Sequence, residues 1–107
     1  MASFYKNAKV DLTSTDVTTL YTAPAATTAI FKSLLVADDS GSTSTITVTI
    51  TDSASAVFVL YNVKATVANA TVELLTQPLV IQESEVLKVT AANANRLHVI
   101  GSYLEIT

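Results

Sequence analysis

The chain has 107 residues, half of them hydrophobic and 14% charged, which is enough for one domain and too apolar for a disordered segment. Nine acidic against six basic residues leave a net charge of −3, which argues against a protein that binds nucleic acid by neutralising phosphates. The absence of cysteine excludes disulfides, thiolate metal sites and cysteine nucleophiles, and a single histidine, His98, removes most catalytic-base options.

The opening segment, MASFYKNAKVDL, has no unbroken apolar stretch of signal-peptide length. It alternates instead: Phe4, Ala8, Val10 and Leu12 share one side, with Tyr5, Asn7, Lys9 and Asp11 opposite. A short strand follows over Val17 to Thr22 and ends before Pro24. Thr28 to Asp38 reads as a long strand closed by the polar loop Asp38 to Ser42. STITVTITD, Ser44 to Asp52, is the clearest segment: Ile46, Val48 and Ile50 fall on one face and Thr45, Thr47, Thr49 and Thr51 on the other. After a turn at Asp52 and Ser53 come Ala56 to Ala65, Thr71 to Leu75, Leu79 to Ile81, Glu85 to Ala92 and Arg96 to Ile106. No run is long enough to cross a bilayer. The pattern predicts an all-β fold: an antiparallel β-sandwich, jelly-roll-like, of about eight or nine short strands. Residues 1–16 are expected to form an N-terminal arm or first strand able to reach another subunit, and residues 17–107 a single sandwich domain.

Three local features carry further expectations. Thr28 to Asp38 and Ala56 to Ala65 are apolar on both faces, so each calls for a second layer, most simply another subunit. In the last strand Leu97 and Val99 have one parity and Leu104 and Ile106 the other, which predicts a β-bulge at Ile100 and Gly101. The row Thr45, Thr47, Thr49 and Thr51 could form an ordered hydroxyl array of the ice-binding kind, but one such strand makes a plain solvated face the simpler expectation.

Candidate chemistry is sparse. His98 and Ser102 lie four residues apart on one strand, about 13 Å, so they cannot form a dyad. Asp38 and Asp39 lack the further ligands of a calcium loop and read as turn formers. Glu83 and Glu85 read as the solvated rim of a turn, and two glycines cannot build a phosphate cradle. Asn69, Ala70 and Thr71 match a glycosylation sequon by spacing, which marks only a loop in the absence of an export signal. No catalytic, cofactor-binding or metal-binding residue is expected.

LYTAPAATTAIFKSLLVAD, Leu20 to Asp38, resembles a recurrent segment of small virion proteins of tailed bacteriophages, in which a short strand ends in a Tyr-Thr-x-Pro turn and leads into a long apolar strand. Ala68 to Ala70, QPLVIQESEVLKVTAA (Gln77 to Ala92) and SYLEI (Ser102 to Ile106) continue the resemblance. One departure is the turn Gln82, Glu83, Ser84, where a glycine is usual. The resemblance implies a non-enzymatic β-sandwich on the particle, foremost a head decoration or cement protein that binds the major capsid protein. It also implies a homo-oligomer, commonly a trimer, made in the host cytoplasm and located on the capsid surface, with no nucleic-acid or membrane partner and no cofactor. Alternatives are a tail, neck or fibre module of the same architecture, and a glycan- or small-ligand-binding sandwich. The residues expected at an interface are Phe4, Tyr5, Phe31, Phe58 and Leu60.

Overall fold

The computed structural model describes residues 2–107 and consists of strands and turns, with no helix among those residues. The strands are β1 (Ser3–Leu12), β2 (Thr18–Thr22), β3 (Thr28–Asp38), β4 (Thr45–Thr51), β5 (Val57–Ala65), β6 (Thr71–Glu73), β7 (Leu79–Ile81), β8 (Val86–Ala91) and β9 (Leu97–Ile106). Pairing is nested: β1 with β9, β2 with β8, β3 with both β6 and β7, and β4 with β5, all antiparallel. Successive nested pairs fall in alternate sheets. One sheet has the order β1-β9-β3-β6, with β7 alongside β6 on the same edge of β3, and the other β2-β8-β4-β5. This is a ribbon rolled into two facing layers, a jelly-roll sandwich.

β1 is an integral strand of its own sandwich. It pairs with β9 from Ser3 to Leu12, and Ala2 and Thr107 exchange backbone hydrogen bonds beyond the strand end. Of the two readings of residues 1–16, arm or first strand, Ser3–Leu12 form a first strand docked on their own chain, and Leu12 is part of the core. Met1 lies outside the described residues.

The alternation of β4 places Ile46 and Val48 in the core and Ile50 at its margin, with the threonines half-buried on the outer face. The two strands that looked apolar on both faces behave differently. In β3 the register shifts between Phe31 and Ser33, so Lys32 is an extra residue opposite β9. The bulge turns Ala29, Phe31, Leu34 and Val36 to one side, where all four are buried, and needs no second layer. In β5 Tyr61 packs against the core and the other apolar residues stay exposed.

β9 corrects the expected bulge at Gly101. Its burial alternates without interruption, Leu97, Val99, Gly101, Tyr103 and Glu105 inward, His98, Ile100, Ser102, Leu104 and Ile106 outward. The change of apolar parity leaves the backbone regular: Leu104 and Ile106 face outward and a polar residue, Glu105, enters the interior.

With only two glycines in the sequence, turns recruit other residues: Ala26, Ser55, Asn69, Ser84 and Asn95 all adopt positive φ. Ser84 sits at 67° in the turn where the resembled proteins have glycine, and Glu85 N–H donates to the Gln82 carbonyl across it. That turn forms without the glycine.

Candidate interaction surfaces

The interior polar group nearest to a site is Glu105. β9 brings it inward at the end of the sandwich, where it is 6% exposed. Lys6 Nζ of β1 donates to Oε1 at 2.7 Å, and the Tyr21 hydroxyl of β2 donates to Oε2 at 2.6 Å. One carboxylate thus ties three strands and both sheets together. Beneath it, Phe31 and Tyr103 stack with centroids 4.7 Å apart, and Tyr21 closes the group at 4.6 Å from Tyr103 and 5.3 Å, edge-on, from Phe31. The hydrogen bond from Lys6, then that from Tyr21, hold the Glu105 carboxyl below the usual carboxylate range against the opposing effect of burial. The same hydrogen bond raises Lys6, whereas burial first and Glu105 second raise the Tyr21 hydroxyl. Each of these shifts favours the protonation states already paired, so the cluster is a fastening.

Phe31, expected at an interface, belongs to this cluster and is fully buried. The other four expected residues are surface residues. Phe4 is 50% and Tyr5 77% exposed on β1, with Phe58 at 57% and Leu60 at 36% on β5. β1 and β5 are terminal strands of different sheets, and β1 lies beside β2, so the structure does not bring these residues into one patch.

Register identifies which side chains share the outer face of the β1-β9-β3 sheet, since directly paired residues point the same way. Tyr5, Leu104, Ile30 and Val80 form one row across β1, β9, β3 and β7. Asp11, His98, Ala37 and Thr71 form another, in which His98 Nε2 lies 3.2 Å from Asp11 Oδ1. Ser102 is on this face two rows away from His98, not in contact range of a dyad. On the other sheet, Thr45, Thr49 and Thr51 share their outer face with Val57, Val59 and Ala65 of β5. The hydroxyl row is flanked by apolar residues on one side and by Val86, Lys88 and Thr90 on the other.

Several acidic residues complete backbone structure. Asp38 Oδ1 accepts hydrogen bonds from the backbone N–H and hydroxyl of Ser40, which closes the loop. Glu85 Oε1 accepts the Gln82 N–H at 2.7 Å, while Glu83 stays exposed. Glu73 of β6 has the most specific role: Oε2 accepts the Leu34 N–H at 2.7 Å and Oε1 the Ser33 hydroxyl, both just beyond the Lys32 bulge. Its signal in sequence is the Lys-Ser pair between Phe31 and Leu34, which breaks the two-residue period.

β5 is the exceptional surface element. Val57, Phe58, Val59 and Val63 each keep more than half of their surface exposed; the strand's ladder partner is β4 alone, and the Tyr61 hydroxyl donates to the Leu74 carbonyl at 2.6 Å. Its register slips on either side of the Val48–Tyr61 pair. Val63 has φ 51°, an unfavourable conformation for a β-branched residue, and its N–H donates to Thr47 Oγ1. The longest unshifted run is Val57 to Val59, paired with Thr51, Ile50 and Thr49; Lys64 and Ala65 pair with Ile46 and Thr45 beyond the slips.

No family model matches the chain, and neither a curated protein nor a solved structure matches it.

Proposed function

We propose that this protein is a non-enzymatic structural component of a bacteriophage particle, a decoration protein that sits on the outer head surface and stabilises the shell as a homo-oligomer. The observation that carries the reading is β5, a terminal strand whose successive residues Val57 to Leu60 are all exposed and all apolar. Contiguous apolar surface of this kind marks contacts with other protein. The resemblance of Leu20 to Asp38 and Gln77 to Ala92 to phage virion proteins supplies the setting. The three-strand fastening at Glu105 suits a component that has to stay folded on a particle.

The glycan-binding alternative has less support, because the exposed aromatics are split between the β1 edge, with Phe4 and Tyr5, and the β5 edge, with Phe58. The test is peptide mass spectrometry and antibody labelling in electron micrographs of purified particles from the source phage. Label over heads, in proportion to capsid subunits, is the expected result. Label confined to tails moves the protein to a tail, neck or fibre module, and absence from particles removes the structural role.

A further inference from the structure

The open edges of the sandwich differ in chemistry. β1 carries Lys6 and Lys9 along its length, and charge on an edge discourages pairing with another strand. β2 is five residues long and bulged at Leu20. On the free side of β3, β6 and β7 have three residues each and are separated by a segment that contains Pro78. β5 has no charge from Val57 to Val63, no proline and four consecutive exposed apolar residues. Among the described residues, the edge that matches β5 in polarity is β5 itself.

We infer that β5 is a self-pairing edge, and that two copies of this chain join β5 to β5, antiparallel, about a two-fold axis. The inference deepens the self-association in the proposed function and rests on that part of it. It replaces the trimer that the resemblance implies with an even-numbered assembly.

The register is constrained. Directly opposed residues in an antiparallel pair share a face, so Val57 and Val59, which lie on the outer face with Thr51 and Thr49, have to meet each other or themselves. The slip beyond Val59 and the left-handed backbone at Val63 limit straight pairing to Val57–Val59. The centre of that run is Phe58. A two-fold axis there sets Phe58 against Phe58 of the second copy and Val57 against its Val59. The two four-stranded sheets become one of eight strands.

The exposed side chains of Val57 to Leu60 and Val63 offer on the order of 400 Å² per copy, within the range of the largest patches on monomers. Two copies can bury at most about 800 Å² of this surface, below the roughly 1,000 Å² at which specific association becomes stable. The expected pair is therefore reversible and concentration-dependent.

Two measurements test it. Sedimentation of the wild-type chain at high micromolar concentration is expected to give a dimer or an even multiple, and Val59→Lys, on the exposed outer face, a monomer with an unchanged dichroism spectrum. Because the chain has no cysteine, Phe58→Cys carries a single thiol. It is expected to form a disulfide-linked dimer under mild oxidation, whereas Val67→Cys, equally exposed but outside β5, does not. A wild-type monomer or trimer overturns the inference, as does an assembly that survives Val59→Lys, or equal cross-linking at Phe58 and Val67. If Val59→Lys fails to fold, the cysteine pair decides. Labelling of particle heads by a chain that sediments as a monomer or trimer would sink the β5 pair and leave the particle role standing.

Discussion

A Cβ on Gly101 would lie 2.6 Å from Cε2 of Phe31. The glycine of β9 is therefore the floor on which the ring rests, and Tyr103 stacks on the same ring. Gly101 does not take a positive φ, so its requirement here is space alone. Gly101→Ala should destabilise the domain by roughly 1–3 kcal/mol, the usual range for overpacking. Thermal unfolding measures it. In a Phe31→Leu background the same alanine should cost less, because the clashing atom is gone, and equal costs in both backgrounds would show that the ring is not the obstacle.

How far the fold was legible depended on whether apolar and inward coincide. In β4 they do, and Ile46, Val48 and their threonine neighbours could be assigned to faces by alternation alone. In β9 they do not: Leu104 and Ile106 are apolar yet outward, and Glu105 is charged yet buried. Nothing local marks Glu105, because its partners Lys6 and Tyr21 are distant in sequence and meet it only once β1 and β2 are in place. The bulge at Lys32 had a local trace, two polar residues inside an apolar run, but the run's length made it read as a two-faced strand. A two-faced strand puts Phe31 among the residues expected at an interface, whereas the bulge turns it into the core. β5 is apolar on both sides by sequence and remains exposed on both sides, since the sandwich ends there.

The face assignment of β4 gives a paired prediction. Val48 is fully buried, and Val48→Asp should abolish folding, since an unpaired buried charge costs several kcal/mol, comparable with the whole stability of a small domain. On the opposite face, Thr49→Lys should change the unfolding midpoint little. Thr47 is a poorer control than its neighbour, because its hydroxyl accepts the Val63 N–H and is lost on substitution. Dichroism and melting of the variants check the register, and a Thr49→Lys protein less stable than Val48→Asp would mean that the faces are inverted.

The turn at Gln82 to Glu85 offers a stabilising substitution. Ser84 adopts φ 67°, which costs an L-residue roughly 1–2 kcal/mol and glycine nothing comparable. Glycine is also freer in the unfolded chain, which takes back about 0.5–1 kcal/mol. Ser84→Gly should therefore raise stability by a few tenths of a kcal/mol to about 1 kcal/mol, and Ser84→Val should lower it. Denaturant unfolding midpoints at unchanged slope are the measurement. A lower midpoint for the glycine variant would show that the serine is not strained.

The Glu105 fastening predicts how stability changes with pH. Its carboxyl titrates lower in the folded protein than in the unfolded chain, chiefly because Lys6 donates to it. A depressed carboxylate contributes stability above its unfolded pKa, near 4.5, and loses that contribution as pH falls through the folded value. Lys6 shifts in the opposite sense: its contribution is complete below its unfolded value of 10.5 and is lost as pH rises through the folded one. The network should therefore hold between these limits. Glu105→Gln keeps the shape but removes the charge, and near neutral pH it should cost roughly 1.5–3 kcal/mol, the range for hydrogen bonds to a charged group. As pH falls from about 4.5 through the lower folded value the wild-type carboxyl becomes neutral as well, so the gap between the two proteins should close. Melting temperatures of both across the acid range decide the point. A gap that stays constant down to the lowest pH would mean that Glu105 acts through its shape and not its charge.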